Sequence, residues 1–144
     1  MAGQIIEKAL VYATWQKRLL VFVEPDFPEL LPQVPGGTIE DGEAPDAAAT
    51  REFFEETGLT AFSSVSFLRS THYRAQHGGR AIHQHRHFFH LPLKEAPLDT
   101  WDHVERHSAT STSAIVFRFF WLPYEQARSA LGYEMDAAIG QLPT

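Results

Sequence analysis

The chain has 144 residues, enough for one domain around one hydrophobic core and too few for a second domain of ordinary size. Its 44% hydrophobic content, with 11 Phe and 3 Trp, is that of a packed globular protein, and with no cysteine it has no disulfide, thiolate metal site or thiol nucleophile. A formal net charge of −6, from 12 Lys+Arg against 18 Asp+Glu, argues against holding long nucleic acid through its phosphates.

The N-terminus has no charged segment followed by an apolar one, and the apolar run at residues 19–23 is only a strand's length. Neither a signal peptide nor a membrane span is therefore expected, and a reducing cytosol is the simplest home. Residues 7–14 and 18–23, rich in Leu, Val, Tyr and Phe, read as a hairpin. Pro25 and Pro28 end its second strand, because proline cannot donate to a central ladder. Pro35-Gly36-Gly37 reads as a tight turn.

Residues 45–57 give the clearest helix, with Pro45 in the first turn, an Ala-rich interior and Gly58 at the left-handed C-terminal cap. Strand-like runs follow at 64–73, 81–91 and 113–122, and residues 92–112 read as a long loop or insertion. Pro123 opens a helical stretch over 124–131, with a shorter one expected over 134–142. Strands and helices mix without a regular βαβ repeat, which favours an α+β sandwich over a doubly wound sheet. The whole of 1–144 reads as a single domain.

On a wheel at about 100° per residue, Glu52, Glu55 and Glu56 fall within an arc of about 100°. Ala47, Phe53, Phe54 and Thr57 lie opposite and are expected to pack inward. Three glutamates on a helix are more often a solvated face than a site, since Glu is a good helix former. Here, however, Glu52 and Glu56 are like charges at i,i+4, and the cluster sits in the C-terminal half, where the helix dipole disfavours negative charge. Both penalties vanish if a divalent cation is bound. Arg51 lies beside Glu55 at i,i+4 and is expected to pair with it.

The surrounding spacing is more specific. From Gly37 the chain runs through five residues to Glu43, then seven to Arg51-Glu52-Phe53, then Phe54, Glu55-Glu56, Thr57 and Gly58-Leu59. Every specified position of the Nudix box is filled, which average composition gives by chance on the order of 10⁻⁹ to 10⁻¹⁰ per window. The preceding hairpin, Pro35-Gly36-Gly37, and Phe119-Phe120-Trp121-Leu122-Pro123 leading into a late helix are also similar to that family.

The resemblance implies the Nudix fold, an α/β/α sandwich with a mixed β-sheet and a loop–helix–loop holding the site. It further implies hydrolysis of a nucleoside diphosphate linked to another moiety, with Mg²⁺ or Mn²⁺ as cofactor. Carried over by position, Glu52 and Glu56 would be metal ligands and Glu55 a further ligand directly or through water. The carbonyl of Gly36 would face the metal, and Arg51 with Glu43 would form the structural ion pair that orients the carboxylates. Oxygen-only ligation suits Mg²⁺ or Mn²⁺. A diphosphate repels a nucleophile, so cations must neutralise its oxygens while a carboxylate accepts the proton of the attacking water. Glu52 is the first candidate for that base, with Glu105 and Glu95 as alternatives in the 92–112 segment.

Substrate contacts are harder to read. His83, His85 and His87 alternate and share one strand face, with Phe88 and His90 on the other. A half-exposed polar face is the simplest account, and substrate contact by His85 and His87 is the functional one; a zinc site is a third, thinly supported by i,i+2 spacing alone. Trp101, Tyr73 and Tyr133 could stack on a base or anchor the core locally. Glu105-Arg106-His107 falls in the same segment as Trp101.

The family's coenzyme A marker and the SQPWPFPxS-type array of its NADH pyrophosphatases are missing. The ADP-ribose proline would fall near Ala75, and the diadenosine-polyphosphate tyrosine has no clean match beyond nearby Tyr73. Nucleoside tri- and diphosphates and nucleotide sugars remain. A non-catalytic nucleotide sensor on the same fold would be expected to have lost carboxylates, and isopentenyl-diphosphate isomerase chemistry would need a cysteine. The expected partner is a small nucleotide-like molecule, with neither membrane nor long nucleic acid, and a homodimer is compatible with the chain.

Overall fold

Strand β1 (Ile5–Trp15) and strand β2 (Arg18–Val23) form the expected hairpin, closed by Gln16 and Lys17 at φ of 50° and 60°. Two successive left-handed residues give the turn whose twist matches that of paired strands. This computed structural model describes residues 4–95, 98–106 and 114–143. The two strands pair only at Thr14↔Leu19 and Trp15↔Arg18, and then part. Into the gap runs the segment before the box. Phe22 and Gln33 exchange backbone hydrogen bonds of 2.8 and 3.0 Å, Val11 N–H donates to the carbonyl of Pro35 (2.8 Å), and strand β3 (Gly36–Thr38) pairs with β1.

Pro35-Gly36-Gly37 is therefore not the tight turn its composition predicts. Gly36 and Gly37 are extended ladder residues, and they are glycine because of close approach rather than backbone angle. A Cβ on Gly36 would stand 2.4 Å from the carbonyl oxygen of Ala9, and one on Gly37 would stand 2.2 to 2.5 Å from the carboxyl atoms of Glu52.

Helix α1 (Pro45–Thr57) has the predicted bounds, with Gly58 at φ 76° donating its N–H to the carbonyl of Phe54. Strands β4 (Ser66–His77) and β5 (Arg80–Pro92) form a long hairpin around Gly78 and Gly79, both left-handed. Both strands extend beyond their predicted spans. Strand β6 (Thr100–Arg106) and strand β7 (Ala114–Pro123) follow, and helix α2 (Tyr124–Ala130) closes the regular structure. The seven-stranded sheet has the order β4-β5-β1-β2-β7-β6, with β3 added to β1. The β1–β5 ladder is parallel and the others are antiparallel, so the sheet is mixed.

Two expectations about the second half change. Residues 92–112 are not one long loop, because Thr100 to Arg106 form an edge strand in register with β7. The ladder with β7 supplies hydrogen bonds that a short stretch rich in charge and His does not advertise locally. His107, with residues 107–112, lies outside the described residues. The second predicted C-terminal helix is a chain of turns ending in a single 3₁₀ turn at Ile139–Gln141. It is held from outside itself: Tyr12 donates its hydroxyl hydrogen to the carbonyl of Met135 and accepts from the Ala138 N–H (3.1 Å).

The sheet is covered on both faces. One core joins Ala9, Val11, Ala13, Leu20, Phe89, Leu91 and Phe119 to Ala48, Ala49 and Phe53 of α1. The other sets Leu10, Tyr12, Leu19, Val21 and Phe88 against Ala127, Leu131, Met135 and Ile139. This is the α+β sandwich with a mixed sheet that the box implied. Among the described residues no helix is long and apolar enough to cross a membrane.

Candidate functional site

The buried face of α1 agrees with the wheel at Phe53 and Thr57 and departs from it at Ala47 and Phe54. Ala48, Ala49, Phe53, Glu56 and Thr57 are buried, whereas Ala47 is exposed and Phe54 is 53% exposed. The helix has rotated toward β3, so its three box glutamates meet three different environments. Glu56 is only 4% exposed and accepts the Gly36 N–H at 2.8 Å. Glu52 is partly buried with its carboxylate against Gly37, and Glu55 faces solvent.

A single cation organises two of them, Glu52 and Glu55. Arg51 donates from Nε and Nη2 to the two carboxylate oxygens of Glu43 at 2.8 and 2.9 Å, and from Nη2 to the carbonyl of Thr38 at 3.1 Å. Its Nη1 reaches Glu52 at 2.8 Å and Glu55 at 3.3 Å. One planar fork thus ties the loop before the helix, strand β3 and two helical carboxylates together, which an ammonium could not do. The Arg51 hydrogen bonds, helped by the Glu40 N–H, hold the Glu43 carboxyl down at about 2.

The other two carboxyls are pushed the opposite way. Burial raises Glu56 well above its ordinary value, the Gly36 N–H offsetting part of this, while Glu105 and Glu52 add to it. Burial also raises Glu52, opposed by Arg51 and reinforced by Glu55 and Glu105. Lys8 on β1 donates from Nζ to Thr38 Oγ1 at 2.9 Å, and burial lowers its ammonium while Glu52 and Glu56 draw it back up.

Glu105 enters from the far edge of the sheet. Strand β6 brings a carboxylate oxygen of Glu105 within 4.8 Å of oxygens of both Glu52 and Glu55. His103 on the same strand is 3.0 Å from the carbonyl of Glu55 and packs over Gly58, which fixes β6 against the end of α1. The carboxylates line one end of a cleft of about 1220 Å³ that opens where β1 and β2 part. On its β4–β5 side it is lined by Tyr73, Gln84 and Arg86, with Tyr133 and Met135, and on its β2–β7 side by Phe22 and Phe117. Arg86 is 2% exposed; its guanidinium lies 3.9 Å over the Tyr73 ring, and it donates to Gln84 Oε1 (2.9 Å) and to the carbonyl of Tyr133.

Of the residues singled out from the sequence, Gly36, Arg51, Glu52, Glu55, Glu56, Tyr73 and Glu105 line this cleft, and Glu43 is joined to it through Arg51. His85 and His87 do not line it, and neither do Glu95 or Trp101. Trp101 stacks on Phe119, with centroids 5.2 Å apart, and packs against the core, as a local anchor does. Lys8, Gln84 and Arg86 were missed. The signal that could have found them is phase: Lys8 alternates with Leu10 and Tyr12, and Arg86 with Phe88, which sets a cation on an otherwise apolar face.

A family model of the NUDIX domain matches residues 7–140. Among solved structures, a MutT NUDIX hydrolase from Burkholderia pseudomallei is 18% identical with a TM-score of 0.64, the match covering 98% of this chain and 100% of that one. An Ap4A hydrolase from C. elegans, solved as a binary complex, is 16% identical with a TM-score of 0.57, over 94% of this chain and 93% of that one. The E. coli ORF135 protein is 22% identical with a TM-score of 0.56, over 96% and 88%. At these identities the likeness is one of fold. No curated protein sequence matches significantly.

Proposed function

The chain belongs to the Nudix family and is a hydrolase of phosphorus anhydrides acting on nucleotide-like substrates, and from that premise we propose that it is a Mg²⁺-dependent pyrophosphohydrolase whose site is the acidic end of the cleft. The observation that carries this reading is the convergence of Glu52 and Glu55 on α1 with Glu105 from β6, beside the nearly sealed Glu56 and the glycine strand that Glu52 and Glu56 abut. Glu55 and Glu105 push the Glu52 carboxyl up, Glu105 and Glu52 push Glu56 up, and a hard divalent cation bound among them relieves that repulsion. Oxygen-only donors favour Mg²⁺ or Mn²⁺.

Glu52, Glu55 and Glu56 would hold the ion, with the backbone at Gly36 beside them and Glu105 as a further carboxylate. When bound, the ion neutralises charge on the phosphate oxygens. The rest falls to the protein. Lys8 meets the anionic chain from the β1 side, and the Arg51 fork keeps Glu52 and Glu55 in one orientation through the reaction. Glu52 or Glu105 accepts the proton of the attacking water. On the β4–β5 side of the cleft Tyr73, held under Arg86, suits a nucleobase, so nucleoside tri- and diphosphates and nucleotide sugars are the substrate class. The lack of cysteine fits a cytosolic setting.

The direct test is a panel of these compounds assayed on metal-stripped protein with Mg²⁺, with Mn²⁺ and with EDTA. Turnover of at least one member is expected, abolished by EDTA and restored by either ion. Full activity in the stripped sample would defeat the proposal, as would inertness toward the whole panel.

The two glycines of β3 give a second expectation. In Gly37→Ala the added methyl meets the movable end of Glu52, so melting should change little while turnover falls by roughly 10-fold or more. In Gly36→Ala the methyl meets the Ala9 carbonyl, which cannot swing aside, so melting should drop by several degrees. Equal effects of the two on melting would show that Glu52 is not held where its role requires.

A further inference from the structure

A second group of ligating side chains stands outside the cleft, on the β1–β5 ladder. Glu7 and His85 are directly opposed in the parallel register, and His87 lies two residues on, on the same face of β5. Glu7 Oε1 is 2.8 Å from His87 Nε2 and 3.1 Å from His85 Nδ1, and one ligating atom from each of the three residues lies within 4.8 Å of the others. We propose that Glu7, His85 and His87 form a second metal site, for a borderline transition-metal ion of the Zn²⁺ class.

The Glu7 contacts are close to ligand spacing, and the two ring nitrogens lie within 4.8 Å of each other. Bonds of about 2.0–2.1 Å to a tetrahedral ion put ligand atoms about 3.3 Å apart. The two contacts of Glu7 need open by only a few tenths of an ångström. Such a movement is within reach of an exposed glutamate whose backbone is held by the ladder.

Neighbours on β4 already orient the rings. His87 Nδ1 is 2.7 Å from Ser70 Oγ; when that nitrogen donates to the hydroxyl, the lone pair of Nε2 points to Glu7. This is the outer-shell hydrogen bond that sets the tautomer of a ligating histidine. The His85 ring is stacked on His72 at 4.5 Å and 10°, and His72 Nδ1 is in turn 2.8 Å from His83 Nε2. Both rings are therefore steered from the adjacent strand before any ion arrives.

The donor set separates this site from the cleft. Two imidazoles and one carboxylate favour Zn²⁺ over Mg²⁺, whose octahedral oxygen preference the glutamates serve better. Three protein ligands on a partly exposed strand face leave a coordination position open to water. A bound ion would staple the N-terminal part of β1 to β5.

The test uses the untagged, metal-stripped full chain in a millimolar excess of Mg²⁺, titrated with Zn²⁺ by calorimetry and followed by thermal melts. The proposal expects one Zn²⁺ per chain and a higher melting temperature, both retained in Glu56→Gln, so its outcome is independent of the cleft. Binding should weaken at least ~10-fold in Glu7→Gln and in His85→Gln taken singly, and disappear in the His85→Gln/His87→Gln double variant. The single variants carry the test if the double variant does not fold. Absence of Zn²⁺ binding above the Mg²⁺ background, or variants that bind as tightly as the parent, would reduce the cluster to a hydrogen-bonded surface network and overturn the proposal.

Discussion

Glu56→Gln is expected to cut turnover at least ~10²-fold while the metal-free protein melts at the same temperature or higher. The two effects part because Glu56 is an acid buried for a partner. Its side chain is almost sealed, and its carboxyl is pushed well above the ordinary value of 4.5, chiefly by burial. A carboxyl whose folded value lies above its unfolded one stabilises the fold fully below the unfolded value, and that contribution is lost as pH rises through the folded one. The metal-free parent should therefore lose melting temperature between pH 5 and pH 8, and Glu52, raised in the same direction, should add to the loss.

Glutamine keeps an acceptor for the Gly36 N–H and has no proton to lose, so it should flatten this slope. Mg²⁺, binding the ionised site, should restore the parent at pH 8 by mass action and leave the variant nearly unmoved. Melts at both pH values with and without Mg²⁺, alongside steady-state kinetics, read all of this. A variant that melts several degrees lower without metal yet turns over normally would reverse the assignment.

Arg51→Ala should behave in the opposite sense, lowering melting temperature by several degrees and turnover by roughly 10²-fold together. It removes charge-assisted hydrogen bonds to Glu43, Glu52 and Glu55 and one to the Thr38 carbonyl, so the loop, β3 and the helix lose their common tie. Its pH signature also differs from that of Glu56. The Glu43 carboxyl is held down at about 2, so the stability drawn from this pair is complete above the unfolded value of 4.5 and fades as pH falls toward 2. The part of the gap between parent and variant that comes from Glu43 should be constant above about pH 5 and close in acid, while the loss of Arg51 lets Glu52 rise further. Arg51→Lys should recover part of the stability and less of the rate, since an ammonium cannot bridge five acceptor oxygens at once. If Arg51→Ala lost rate with no loss of melting temperature, the residue would act on the reaction directly rather than by positioning.

How much of this could be read from the chain follows the range of the forces involved. Helix α1 has the bounds its sequence predicts because proline at the start and a left-handed glycine at the end are local devices, complete within the segment itself. The box, the hairpin turn and the mixed α+β class were legible for the same reason. Strand β6 was not, since what makes residues 100–106 a strand is the ladder with β7, and that ladder carries Glu105 to Glu52. The alternation of β5 showed that His85 and His87 share one face with Phe88 and His90 on the other, but period two names no direction. The parallel register of β1 with β5 decides it, setting His85 and His87 beside Glu7 and turning Arg86 into the cleft. Local chemistry thus determined which carboxylates lie along the helix. Long-range pairing decided which further side chains they meet, because a strand's partner and register are chosen by contacts with residues far along the chain.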